Sequence, residues 1–300
     1  MDIKLRPIRY FIAAAECGSL SEAANKLHIS QPSISAAIIE IEKTLDLQLF
    51  VRYPSKGIRL TTQGIKVLEE ARILIRHAES FRAATSAVKS QLVGNISIAF
   101  FMNLGSNYLS EIIRTFKEKY PDINVHIHDL DQAAIFDALS SGKVELALTF
   151  DLNIPKSMKT KYIASREPYA LLPIDDPLAQ QDEVQLKELV QRPFILMDLP
   201  YTNDYFISLF AKKKLSPNIR YRTTSFETVR TFVASGLGVS VLNLKPKSTV
   251  TYNGNKVVIK PIKDKVDPLN IVLIHYSRLE PRRIADIFSA HIESFFEAAS

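Results

Sequence analysis

Cysteine is nearly missing from this 300-residue chain: Cys17 stands alone, which excludes an internal disulfide and any zinc cluster built from cysteines. With no second thiol to resolve an oxidised one, Cys17 reads as a small packing residue rather than a redox sensor. Long apolar runs are missing too. No stretch of about 18 apolar residues occurs, and the opening MDIKLRPIRY lacks the basic, apolar and small-residue order of a secretory leader, so the expectation is a soluble, cytoplasmic protein with no membrane partner. There is no P-loop, no Gly-x-Ser-x-Gly elbow and no His-Glu-x-x-His, which leaves hydrolase and nucleotide-dependent chemistries without an anchor; neither catalysis nor a cofactor is expected. His126 and His128 share a strand face without a third ligand at a supporting spacing, so no metal site is expected either. Gly236-Leu237-Gly238 lacks the third glycine and downstream acid of a dinucleotide site and reads as a backbone turn.

What is present is ordinary globular material, 46% hydrophobic and 23% charged, at a length that suggests two folded units. The formal charge is +6, and residues 1–92 hold most of that excess in under a third of the length, a tilt toward a polyanion-binding N-terminus. There the helical spacing of Ile8, Phe11, Ile12 and Ala15 stops at Cys17-Gly18. Ser19-Leu20-Ser21-Glu22 is a capping box opening a second short helix, and Ser30 caps a third with Gln31 and Pro32 in its first turn and Ile34, Ile38, Ile41 and Leu45 as its core face. Two β-prone runs follow, 49–52 and 57–60. Three helices and a two-stranded wing result. The exposed start of the third helix is small and hydrogen-bonding: Gln31, Ser33 and Ser35, with Pro32 among them. Such a surface suits the major groove, since glutamine bonds adenine bidentately and serine either donates or accepts, while Arg52, Lys56 and Arg59 of the wing and Ser30 at the cap suit phosphates. A protein-binding winged helix with solvated Arg and Lys is the alternative.

From Thr62 to about Gln91 there is no proline and, after Gly64, no glycine. Val67, Ala71, Leu74, Ala78, Phe81, Thr85, Val88 and Leu92 fall alternately four and three residues apart, a coiled-coil seam on a helix about 45 Å long. A small head cannot bury it, so a partner helix and a homodimer or homotetramer are expected. Beyond Val93 strands and helices alternate, which argues for a parallel α/β sheet with right-handed crossovers.

The stretch FIAAAECGSLSEAANKLHISQPSISAAIIEIEKTLDLQLFVRYPSKGIRLTTQG resembles the DNA-binding head of LysR-type transcriptional regulators, and YPDINVHI, LSSGKVELALT and VASGLGVSVL resemble their effector domain. The resemblance covers nearly the whole chain and implies an α/β protein with an N-terminal winged helix-turn-helix, a long dimerising linker helix and a two-lobed, periplasmic-binding-protein-like effector domain. It implies a head at 1–62, a linker at 63–92 and an effector domain at 93–300, with one lobe formed by 93–150 and 269–300, the other by 151–268, and hinges near Phe150-Asp151 and Asp267-Pro268. The partners implied are double-stranded promoter DNA and a small-molecule effector. Two departures stand out: Ala36 occupies a position where the family often carries arginine, and Asp46 replaces a glycine after the third helix, where aspartate tolerates a left-handed backbone.

In open α/β sheets ligands lie beyond the carboxyl ends of strands, near helix starts. This selects Asn103 and Ser106 after the first strand, Asp151 after the Val144 strand, Tyr201 and Thr202 before one helix and Thr224 before another. Thr224-Ser225-Phe226-Glu227 is also a capping box, so Thr224 is either a cap or a contact. Met102, Phe150 and Met197 are either core or pocket wall. These groups are amides, hydroxyls and helix starts with no Arg or Lys on the loops themselves, although Arg222 lies one alternation before Thr224. A small carboxylate fits, and so does an uncharged polar metabolite.

Overall fold

The computed structural model describes residues 4–53, 57–86, 92–279 and 281–298, without the side chains of Ser80 and 82–86; the expectations for Lys56, Thr85 and Val88 fall outside the described residues. Two compact units make up the chain, one running from Met1 to Gly94 and the other starting at Asn95 and holding nearly all the rest.

The first unit is α1 (Leu5–Cys17), α2 (Leu20–Leu27), α3 (Gln31–Leu45), the ribbon of β1 (Phe50–Tyr53) and β2 (Gly57–Leu60), and α4 (Thr62–Ser86). Local chemistry sets each boundary. Ser19 accepts the Glu22 N–H at 3.3 Å to open α2, and Gly18, at φ +63°, closes α1. Asp46 closes α3 at φ +53°, the left-handed turn expected of it. The wing docks on the turn between α1 and α2 through the Ile58 N–H, which donates to the Gly18 carbonyl at 2.9 Å. A Cβ on Gly57 would lie 2.4 Å from that same oxygen at φ +80°, so glycine is obligatory there. Gly64 is held by space instead: a Cβ would come within 2.1 Å of the Leu49 carbonyl oxygen.

Helix α4 corrects one expectation. Its first turns lie against α1, so Leu68, Ala71 and Ile75 complete the head core with Ile8, Phe11, Ile34 and Ile38. Ala71 is therefore a core residue and not part of an outward seam. Leu74 and Phe81, 41% and 71% exposed, remain on the outer flank, with Val67 and Ala78 partly buried.

The second unit runs β3 (Gly94–Phe101), a continuous helical stretch of α5 (Met102–Leu104), a π turn and α6 (Ser110–Lys119), then β4 (Ile123–Leu130), α7 (Gln132–Ser140), β5 (Leu146–Phe150), β6 (Met158–Arg166), β7 (Tyr169–Pro173), α8 (Leu186–Leu189), β8 (Pro193–Met197), α9 (Thr202–Ala211), β9 (Asn218–Thr223), α10 (Phe226–Ala234), β10 (Ser240–Leu242), β11 (Val257–Pro261), β12 (Leu269–Tyr276) and α11 (Arg283–Ala298). One lobe is a sheet of order β4-β3-β5-β12-β6; the other combines β10-β7-β11 with the β8-β9 pair. The sheets are mixed rather than parallel: β3/β5 and β8/β9 run parallel, whereas β12 is antiparallel to both β5 and β6, and β7 to both of its neighbours.

The lobe boundary is a second correction. Strand β6 pairs with β12 along its whole length, so 158–166 belongs to the first lobe, and the chain crosses over at Glu167-Pro168 rather than at Phe150-Asp151. The return crossing lies between Pro261 and Leu269. Among the described residues no helix is long and apolar enough to cross a membrane.

Candidate functional site

In the head, the start of α3 is open to solvent. Ser30 is its cap, accepting the Ser33 N–H at 3.4 Å, and the two hydroxyls lie 2.7 Å apart. The Ser21 hydroxyl donates to Gln31 Oε1 at 3.0 Å, which orients the glutamine amide and leaves its N–H donors for another partner. Gln31, Pro32 and Ser33 are exposed and Ser35 half-buried, while Ile34, Ile38 and Ile41 fill the core behind them. Their positions along the helix make this split inevitable once the apolar face is buried.

The wing separates its two described arginines. Arg59 opposes Val51 and lies over the Tyr53 ring at 5.9 Å, whereas Arg52 opposes Ile58 and so points to the other side of the ribbon. Both are exposed. A contact unseen in the sequence holds the ribbon: Glu42 on α3 accepts the Leu49 and Phe50 N–H groups at 2.7 and 3.2 Å. Thr61 caps α4, accepting the Gly64 N–H at 2.9 Å, and donates to the Gln48 carbonyl at 2.6 Å. Neither contact has a pattern in the sequence, because each joins elements at an angle that only the fold sets.

In the second unit the start of α9 is the most unusual point. Tyr201 precedes it at φ +64°, a costly conformation for a bulky residue, and its ring meets Phe136 of the other lobe at 6.0 Å. Thr202 is 2% exposed and its hydroxyl has no partner. Nearby, the Asn203 amide donates to Asp198 at 2.9 Å, and Arg222 reaches the same carboxylate at 3.5 Å, so this cation is already engaged. Tyr205 donates to the Asp267 carbonyl at 2.9 Å, and Lys212 pairs with the Asp267 carboxylate, tying α9 to the return crossing between the lobes. Burial pushes the Tyr205 phenol well above its usual range.

The remaining candidates divide. Met102 and Asn103 are half-buried in the first turn after β3. Ser106 is exposed and its hydroxyl donates to the Met102 carbonyl at 3.1 Å, inside the helix. Phe150 is not a pocket wall: it is buried edge-on against Phe101 at 5.2 Å, and Met197 is buried as well. Asp151 is exposed, its N–H donating to Asn270 at 2.9 Å. Thr224 is exposed and does not cap α10; Ser225 does, accepting the Thr228 N–H at 3.2 Å, because β9 ends at Thr223 and leaves one residue of turn. The sequence offered no hint of Gln132, fully buried at the start of α7, which donates to the Phe150 and Leu152 carbonyls at 3.0 and 3.1 Å and accepts from Thr149. Among the described residues no group of three His, Cys, Asp or Glu could hold a metal.

An exposed helix start on a helix-turn-helix with a wing, followed by a long helix and a two-lobed α/β unit, defines a DNA-binding regulator with a ligand-binding domain. Residues 5–65 match the bacterial regulatory helix-turn-helix protein, lysR family, and residues 89–296 match the LysR substrate binding domain, so the chain belongs to the LysR family of transcriptional regulators and is not an enzyme. It is 26% identical over 97% of its length to 93% of the transcriptional activator protein LysR of Escherichia coli, and 30% identical over 80% of its length to 75% of CysB of Haemophilus influenzae. The crystal structure of HinK, a LysR family regulator from Pseudomonas aeruginosa, superposes with a TM-score of 0.67 at 32% identity, covering 98% of this chain and 99% of that one.

Proposed function

We propose that this regulator works in the cytoplasm, holding promoter DNA with its head and responding to a small polar effector bound between its lobes. The lobes are 95–166 with 269–298, and 167–268. The observation that carries the effector reading is the Thr202 hydroxyl, buried without a partner beside a strained Tyr201 at a helix start. A buried orphan hydroxyl costs roughly 1–3 kcal/mol, a cost a ligand would relieve. With Arg222 already engaged by Asp198, the donors there are neutral amides, hydroxyls and the positive end of α9, a set that suits a small carboxylate and fits an uncharged polar metabolite nearly as well. Asn103, Met102 and Tyr201 are the companions of Thr202 in this reading, with Ser106, Asp151 and Thr224 at the periphery. A thermal-shift screen of organic acids and polar metabolites tests it, since a ligand at about 100 times its Kd stabilises the folded state by about 2.7 kcal/mol. Hits indifferent to both Asn103→Ala and Thr202→Val would remove this cleft from the effector site.

In the head, Gln31, Ser33 and Ser35 with Pro32 meet bases, and Ser30, Arg52, Lys56 and Arg59 meet phosphates. Val67, Leu74, Ala78, Phe81 and Val88 pair with a second copy, giving a dimer or a tetramer of such dimers. What supports this is the apolar flank of α4, where Val67 and Leu74 line a cavity of about 300 Å³ with Pro7, Phe11 and Leu45. Sedimentation at micromolar concentration checks it; a monomer that still bound duplex tightly would remove the dimer from the mechanism.

A further inference from the structure

The outermost ridge of α3 is apolar from Pro32 to Ile39. Helical spacing puts Pro32, Ala36, Ile39 and Lys43 along one line, directly opposite the buried Ile34 and Ile41. Ala36 is exposed, and Ile39 is 52% exposed. The cavity beside α4 is lined on α3 by Glu40, Ile41, Thr44 and Leu45 and not by Ile39, so the proposed dimer flank does not include Ile39. Gln31 and Ser35 flank the ridge, which places Ile39 in the surface that faces DNA.

From Pro32 to Ile39 the ridge spans about 10 Å, the length of about three base-pair steps. In the major groove the apolar feature of a base edge is the thymine C5-methyl, and small apolar side chains are its partners, whereas an arginine at such positions would seek guanine. We infer that Ala36 and Ile39 form a methyl-reading strip that selects thymine at the base pairs facing the middle of α3. The inference rests on the reading of α3 as the recognition helix and adds to it a base identity that Gln31 and the serines do not supply.

The test uses the full-length protein and a duplex selected by it from a random pool. Each thymine of a half-site is replaced in turn by uracil, which removes the methyl and keeps every hydrogen-bonding group. At one or two positions the wild-type protein should bind about fourfold more weakly, the loss expected for one buried methyl. Ile39→Ala, an exposed substitution whose folding is checked by its melting temperature, should be insensitive to uracil at one of those positions. Ile39→Arg should shift the selected base there toward guanine. Wild-type binding unchanged at every uracil, a half-site selected without thymine, or a full uracil penalty retained by Ile39→Ala would each overturn the strip while leaving DNA recognition by α3 standing. Failure to select any duplex would overturn the recognition-helix reading itself.

Discussion

Helix α3 has a hydroxyl residue at its cap and α9 has one at its first helical position, and the two are treated in opposite ways. At α3, Ser30 and Ser33 are exposed and bonded to each other, so neither hydroxyl is buried or orphaned before a partner arrives. At α9, Thr202 is buried with an orphan hydroxyl behind a strained Tyr201. The difference matches the size of what each end is proposed to meet. A duplex is large, solvated and charged, and a surface can meet it by exchanging water for phosphate and base contacts. A small metabolite offers little area, so its site gains from groups held dry and unpaired in advance.

The largest expected effect lies at the exposed end. Gln31→Ala should reduce the preference for the selected operator over random duplex by about 1–3 kcal/mol, whereas Arg59→Ala should weaken binding to both and lower the salt slope by about one. Titrations at several salt concentrations separate the two, and equal losses on both duplexes for Gln31→Ala would make the α3 start a phosphate site. The buried end should behave inversely. Thr202→Val removes the orphan hydroxyl and should raise the stability of the ligand-free protein by about 1 kcal/mol while abolishing ligand stabilisation. Urea unfolding with and without a screening hit measures both, and a destabilised variant would mean that Thr202 has a partner in solution. Ser30→Ala should cost about 1 kcal/mol of helix stability, because a satisfied cap is lost, and should not alter the effector response.

The smallest effect calibrates the effector domain through a buried group unrelated to either end. His291 on α11 lies 2.9 Å from the Thr115 hydroxyl and 3.1 Å from the Ile112 carbonyl, and burial holds its pKa below the ordinary histidine value. The folded state therefore takes up its proton less readily than the unfolded chain, so the stability it contributes is present above about pH 6.5 and is lost as the pH falls through that value toward the folded pKa. Melting curves between pH 7.5 and 5 should show the wild type losing more than His291→Gln. Parallel losses would locate the acid sensitivity elsewhere.

How far the fold could be read from the sequence depended on how local its causes are. Ser19, Ser30 and Asp46 act within a turn of themselves, and their roles are legible in four-residue patterns. Strand β6 is not, because its segment MKTKYIASR carries exposed Lys159 and Lys161 in the manner of a protected sheet edge, and missing it moved the lobe boundary. At α10 the pattern is present but one residue out of place, since the end of β9 decides whether Thr224 or Ser225 is the cap. Glu42, Gln132 and Asp198 work on partners brought to them by the fold, and no spacing announces them.

The Glu42 carboxylate has a mechanical side. By taking both N–H groups at the foot of the wing, it fixes the ribbon to α3 as the two jaws of a caliper are fixed to one frame. On the proposed reading of α3 and the wing, a duplex held by such a frame would meet a set distance between the groove and the wing arginines. Any mismatch in groove width would then fall on the DNA, whose cost of bending depends on its own base steps, so base pairs the protein never touches would contribute to the choice of operator.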